Sequence, residues 1–166
     1  DLMPLGYNIT LFEKDASPGG AMKSQVPGFR LPEEVLTEET SMILDMGVEK
    51  RFGKAVTSLK PLIAEGFDAI FIGTGAPIGK DLNIPGRKEA GESVHIGVEF
   101  LAAVAFKHKT SMQAKVVVIG GGNTAMDCCR TALRLGAKEV QVIVPESFEQ
   151  MLASPWEKED ALSEGV

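Results

Sequence analysis

Cysteine is nearly missing from this chain, and the two present, Cys128 and Cys129, are adjacent. Neighbouring thiols cannot staple distant segments and are too few to enclose a metal, so a disulfide framework and a cysteine metal cage are both excluded. Basic residues are outnumbered, 17 Lys and Arg against 23 Asp and Glu, for a net charge of −6. That balance argues against nucleic acid or an anionic membrane as partner, since both require a basic surface. Apolar runs are short: none approaches the ~20 residues needed to cross a bilayer. The N-terminal stretch has no basic end and is broken by Pro4 and Gly6, unlike a secretory leader. Internal repeats are lacking as well, which sets solenoid architectures aside. A cytoplasmic location is the expectation. An initiator Met is also lacking, and a strand begins within ten residues of Asp1, as in a piece of something longer.

What remains is an alternation of strand-like and helix-like segments. Residues 8–12 (NITLF) form a short β-rich run ending at Glu13, and Pro18, Gly19 and Gly20 then break the chain. Residues 32–46 are expected to be helical. Pro32 fits the first turn, Glu33 and Glu34 suit the positive end of the helix dipole, and Gly47 suits its stop. A small helix is expected over 58–65. Residues 68–72 (DAIFI) are nearly all apolar, as in a strand covered on both faces, and lead into Gly73, Thr74 and Gly75. Residues 78–93 are rich in Gly, Pro and charge and mark the expected domain boundary. A helix over 96–106 precedes a strand over 115–119, a glycine turn at 120–122, a helix over 123–135 and a strand over 139–144. A polar helix is expected over 156–164. Such alternation implies an α/β fold with doubly wound, Rossmann-like parallel sheets.

The glycine turn carries the sharpest chemical signal. Gly120, Gly122 and Ala125 match the spacing G-x-G-x-x-G/A. In that pattern the first glycine permits a tight turn, the second admits a pyrophosphate, and the small third residue lets helix and strand pack closely. The helix beyond it offers free N–H groups and partial positive charge to phosphate. The pattern follows a β-branched strand and leads through a helix into a second strand, the context that a dinucleotide site needs. The bland alternative is a structural glycine turn in another α/β protein. Asn123 and Thr124 are equally suited to donating to phosphate and to capping the helix. Asp127 and Arg130 stand at helical spacing and are expected to form an exposed ion pair. Cys128 and Cys129 are read as small packing residues, at most one of them facing the core. His95 and His108 are read as surface residues.

In the front half, Glu13 ends a strand and is followed by Gly19 and Gly20. An acidic residue at the end of the second strand of a dinucleotide fold binds ribose hydroxyls. A solvated strand-end glutamate is the competing reading. On the first reading, a preceding strand with its own glycine fingerprint belongs about 20 residues upstream, and the sequence does not contain it.

Taken in order, Glu13, Gly19-Gly20, the VPGFRLP block at 26–32, the AIFIGTGA block at 69–76, Ile84-Pro85-Gly86 and the VVIGGGNTAMD block at 117–127, with Arg130 to Arg134 after it, resemble one family. This is the small (beta) subunit of glutamate synthase and its relatives, including the flavin-bearing part of dihydropyrimidine dehydrogenase. The resemblance implies two interleaved nucleotide-binding domains: a partial FAD-binding domain over 1–92 and a partial NAD(P)-binding domain over 93–166. It implies Glu13 as the FAD ribose ligand, Gly19 and Gly20 as backbone close to FAD, and Gly73, Thr74 and Gly75 as a second approach to the flavin nucleotide. Gly120, Gly122, Asn123 and Thr124 would cradle the NAD(P)H pyrophosphate. The implied chemistry is hydride transfer from nicotinamide to flavin and onward passage of electrons to a partner. No acid, base or nucleophile of this chain is nominated, because that chemistry belongs to the cofactors.

Three departures from the family pattern shape the expectation. The first FAD fingerprint, the cluster-binding cysteines and the later strands of the nicotinamide domain are not in the sequence, so no iron–sulfur cluster is expected in this chain. Implied partners are the remainder of a parent oxidoreductase or a large catalytic subunit, and unpaired strand edges leave self-association open. The alternative is a truncated, non-catalytic dinucleotide-binding or interaction module. The strand over 139–144 runs into Pro145 and Glu146, where NADPH-using relatives commonly place arginines. A glutamate there repels a 2′-phosphate and accepts from free ribose hydroxyls, favouring NADH, unless Glu146 only faces solvent.

Overall fold

Two separate pairs of parallel strands organise the computed structural model, which describes residues 1–166. The chain divides into two units. One comprises Asp1–Lys23 and Leu31–Gly75, the other Ser24–Arg30 and Ala76–Val166. The second unit therefore borrows a short strap from within the first unit's stretch of sequence.

In the first unit, strand β1 (Thr10–Glu13) runs parallel to β2 (Glu49–Phe52), with Thr10 opposite Glu49 and Glu13 opposite Phe52. A short helix α1 (Gly20–Ser24) and the longer α2 (Glu33–Leu44) form the crossover between them. Helix α2 begins behind Pro32, and Gly47, at φ +110°, adopts the left-handed conformation in the turn that follows it. Helix α3 (Leu59–Ala64) is capped by Ser58, whose hydroxyl accepts from the Lys60 N–H at 3.3 Å. The core is small: Leu36, Leu44 and Leu62 are buried, and the Phe12 and Phe67 rings meet edge to face at 6.0 Å. Strand β2 (EKRF) gives no apolar alternation to read. Its side chains instead form surface ion pairs, Arg51 with Glu49 and Glu65 and Lys50 with Asp45.

The second unit holds α4 (Gly97–Ala105), β3 (Lys115–Ile119), α5 (Asn123–Arg134), β4 (Glu139–Ile143) and α6 (Pro155–Ser163). Strands β3 and β4 pair in parallel from Lys115 opposite Glu139 to Ile119 opposite Ile143. Their alternation puts Val116, Val118, Val140 and Val142 against α5 and leaves Val117, Ile119 and Ile143 exposed. Eight consecutive residues of α5, Ala125 through Ala132, are buried. Periodicity alone admits one buried face, but α5 packs against the sheet, α4 and α6 at once. Both cysteines are consequently buried, Cys129 among Met126, Ala132 and Val140, and Cys128 against Phe100 and Leu101. The expectation that only one would face the core is corrected by this second neighbour.

The fold class is as expected: Rossmann-like parallel strands joined by helical crossovers. Most elements fall within two residues of their expected bounds. Helix α1 and strand β2 were not expected, and the run over 68–72, expected as a strand, forms none: Phe71 is 94% exposed and Ile72 60%. An apolar sequence favours a strand only where a neighbouring strand accepts from its N–H groups and donates to its C=O groups, and none pairs with this segment here.

Burial separates the consequences of two large-to-small changes. Met126→Ala, at a side chain only 2% exposed, should cost about 2–5 kcal/mol in urea unfolding. Phe71→Ser should change stability by no more than about 0.5 kcal/mol in the same assay.

Candidate functional site

The turn from β3 into α5 places three glycines in succession, each in a different physical situation. Gly120 has φ +135°, its N–H donates to the Ile143 carbonyl, and a Cβ there would lie 3.8 Å from that of Ala125. The left-handed backbone and the small Ala125 together let strand and helix close on each other. Gly121 is hemmed in: a Cβ would stand 3.0 Å from Val144 and 3.4 Å from Met151, and its carbonyl accepts from the Ala153 N–H at 2.8 Å. Gly122 has neither reason. Its φ of −95° and ψ of 175° suit any residue, and a Cβ there would meet no atom within 4 Å. The space in front of Gly122 is open, and the first turn of α5 faces it.

Asn123 does not cap its own helix. Its Oδ1 accepts from the Ser154 N–H at 2.8 Å and its Nδ2 donates to the Ser154 hydroxyl at 3.4 Å, tying the start of α5 to the start of α6. Thr124 is exposed on the same first turn, with its methyl side towards Gly97 at the start of α4. Glu146 is exposed two residues beyond Val144, past the end of β4.

Below the turn lies a charge network that replaces the expected exposed pair of Asp127 and Arg130. Both are buried, with 4% and 7% exposure. Asp127 accepts two hydrogen bonds from Arg30 Nη1, at 2.8 and 3.0 Å. The Arg30 Nη2 lies 2.8 Å from Glu157 on α6. Arg130 pairs with Glu157 at 3.0 Å and also meets Asp160 and Glu164, while Arg134 clasps Glu164. The Phe29 ring lies under the guanidinium groups of both Arg130 and Arg134, at 4.7 and 4.0 Å. Helical spacing showed the two charges on α5 but not their partners, which come from distant segments. The FRLP motif was the available signal.

In the first unit, Glu13 ends β1 and its carboxylate accepts from the Asp15 N–H at 3.0 Å. Gly19, at φ +121°, faces Leu36 and Lys23 so closely that its own packing requires glycine. Gly20, at φ +51°, opens α1, and a Cβ there would meet no atom within 4 Å. Gly73, Thr74 and Gly75 are exposed outside any element, Gly75 at φ +67°, with no strand before them and no helix directly after. The two cysteine thiols are inert: burial pushes Cys128 up to about 12 and Cys129 up to about 11.

The model of the pyridine nucleotide-disulphide oxidoreductase family matches residues 6–161. The chain is 38% identical over 97% of its length to the NADP(+)-dependent formate dehydrogenase subunit beta of Moorella thermoacetica, covering 23% of that protein. It is 36% identical over 97% of its length to the NADPH-Fe(3+) oxidoreductase subunit beta of Geobacter sulfurreducens (strain DL-1 / KN400), covering 25%. The chain thus spans about a quarter of these curated relatives. Among solved structures, FprA from Mycobacterium tuberculosis shares the fold with a TM-score of 0.74 at 20% identity, over 95% of this chain and 41% of that one.

The electrostatics predict a particular acid limb. Hydrogen bonds from Arg134 first, then Arg130, hold the Glu164 carboxyl down at about 2. A depressed carboxylate contributes stability above its unfolded value, near 4.3, and loses it as pH falls towards 2. Burial pushes Asp127 up, and Arg30 offsets this only in part, so Asp127 works in the opposite direction. Glu164→Gln should therefore flatten the stability profile between about pH 4.5 and 2, read by urea midpoints across that range. An unchanged slope would contradict the ion network.

Proposed function

The chain belongs to the pyridine nucleotide-disulphide oxidoreductase family, and from that premise we propose that it forms part of an FAD-containing oxidoreductase whose β3–α5 turn binds NAD(P)H. The observation that supports this best is the open space at Gly122. Neither backbone nor packing within the chain requires glycine there, whereas a pyrophosphate approaching the first turn of α5 does. In this reading Gly120 shapes the turn, Gly122 admits the pyrophosphate, and Thr124 and the N–H groups of the first turn donate to it. Asn123 contributes its backbone N–H, because its side chain is committed to Ser154.

Glu13, Gly19, Gly20, Gly73, Thr74 and Gly75 are assigned to the FAD side. Support comes from the position of Glu13 at the end of β1, where a dinucleotide fold places its ribose ligand. The bound cofactors supply hydride transfer from nicotinamide to flavin. The protein's part is to hold and orient them and pass electrons on, as a glutamate synthase small subunit does, to a larger partner. The relatives are named as subunits, and the chain covers about a quarter of each, which fits such an assembly. Cytoplasmic residence belongs to the same reading, supported by two free, buried thiols.

A second reading, dinucleotide binding without turnover, is favoured for the chain by itself by the exposed position of Gly73, Thr74 and Gly75 outside any element. The visible absorbance spectrum of the purified chain separates the two, since bound flavin is yellow.

Gly122→Val is the direct test of the turn. Extended backbone and open space admit valine at a cost of no more than about 1 kcal/mol, while its methyl groups occupy the pyrophosphate position. Calorimetric titration should show nucleotide binding lost and the thermal midpoint nearly kept. Undiminished affinity in the folded variant would remove the site.

Specificity within that site is assigned to Glu146, and the preference to NADH. Two unit charges about 5 Å apart at an effective dielectric near 20 interact by about 3 kcal/mol. Exposure reduces this, yet about 1.4 kcal/mol already gives a tenfold preference. Comparing NADH with NADPH on wild type and Glu146→Arg should show the preference reversing. Wild type that takes NADPH equally well would overturn the assignment.

A further inference from the structure

The strap Ser24–Arg30 is the motif-bearing segment that nucleotide contacts leave unexplained. It packs as part of the second unit although the residues on either side, Lys23 and Leu31, belong to the first. A turn closed by the Arg30 N–H on the Pro27 carbonyl, at 2.9 Å, presents Phe29 and Arg30 together. Phe29 seats on Arg130 and Arg134. The Arg30 side chain, 28% exposed, reaches Asp127 and Glu157, whose side chains are only 6% and 5% exposed.

Those two carboxylates stand on α5 and α6 with the Arg30 guanidinium bonded to both, and burial first, with Glu157 adding to it, raises the cost of charging Asp127. Arg30 is the cation between them. Arg130 also meets Glu157, but its remaining donors are spent on Asp160 and Glu164. Asp127 accepts its hydrogen bonds from Arg30 alone. One helical turn above Asp127 stands Asn123, bonded to Ser154 at the start of α6, and beside it the Gly121 carbonyl bonded to Ala153. The same two helix ends are thus joined twice, once at the rim of the glycine turn and once through Arg30 beneath it. Without Arg30, Arg130 still holds Glu157, but Asp127 stays buried with no hydrogen-bonded cation, and its link to α6 is lost, leaving the rim contacts to hold that end of the turn.

We infer that Arg30 is a positioning residue for the dinucleotide site, holding α5 against α6 so that the Gly120–Gly122 turn keeps the geometry that binds pyrophosphate. The inference rests on the dinucleotide reading of that turn. It assigns the strap a role in affinity, exerted through Asp127 and not through contact with the nucleotide. Because Arg30 serves two carboxylates with a planar fork, lysine replaces its charge but not its geometry.

The experiment uses the 166-residue chain with NAD+ and NADP+ as calorimetric probes, and amide hydrogen exchange in the absence of nucleotide. Arg30→Met should weaken binding of the preferred nucleotide about tenfold or more, with Arg30→Lys intermediate. Exchange should accelerate at the Ala153 and Ser154 amides, which donate to the Gly121 carbonyl and the Asn123 side chain, while the β3 and β4 amides keep their protection, a pattern that general destabilisation would not give. The double variant Arg30→Met with Asp127→Asn removes the uncompensated charge and should recover part of both losses; it also provides a folded comparison if Arg30→Met proves unstable. Wild-type affinity in Arg30→Met, or equal loss of protection throughout the unit, would overturn the inference. A wild-type chain that binds neither nucleotide would sink the dinucleotide reading separately, and the exchange pattern, which needs no ligand, would still decide whether Arg30 orders the turn.

Discussion

Burying Asp127 and Arg130 on α5 is the constraint around which the second unit is arranged. A helix with eight consecutive buried residues must be covered on every side, and two of those eight carry charge. A buried charge without a partner costs several kcal/mol, so every element packed against that side of α5 has to bring a counter-ion. The strap brings Arg30; α6 brings Glu157, Asp160 and Glu164. The apolar side meets the same demand with ordinary packing, through Met126, Cys129 and Ala132 on the sheet. Breaking one partner from such a network is far more costly than its net contribution to stability suggests, because the remaining charge stays buried.

Above that network the glycine turn is packed at its back and open at its front. Gly120 and Gly121 are determined by the protein's own geometry, one by its left-handed backbone and the other by Val144 and Met151. Asn123 fastens the turn to the next helix. Only Gly122 is left without an internal reason. Under the proposed dinucleotide reading, the open front at Gly122 is where phosphates would accept from the N–H groups of the first turn.

Much of this was legible along the chain. The strand, turn and helix over 115–134 follow from β-branched residues, glycine spacing and helical periodicity, all properties of near neighbours. The place of Glu13 at a strand end was legible for the same reason. Strand β2 was not, because EKRF shows no alternation and draws its place from pairing with β1. The run over 68–72 erred in the other direction: its composition favours a strand, but no ladder receives it. The cysteines show a third kind of error, in which one amphipathic face was assumed and α4 supplied a second.

By itself the sequence determined strands β1, β3 and β4, the longer helices, the glycine turn and the α/β class, since each depends on residues a few positions apart. Tertiary structure alone decided which charges meet. Arg30 and Asp127 are separated by 97 positions, and nothing local in either sequence names the other. Asn123 likewise had two plausible local roles and took a third, because Ser154 lies beside it only after the chain has folded. Periodicity places a side chain on a face of its own element, whereas the partner across that face depends on how distant segments pack.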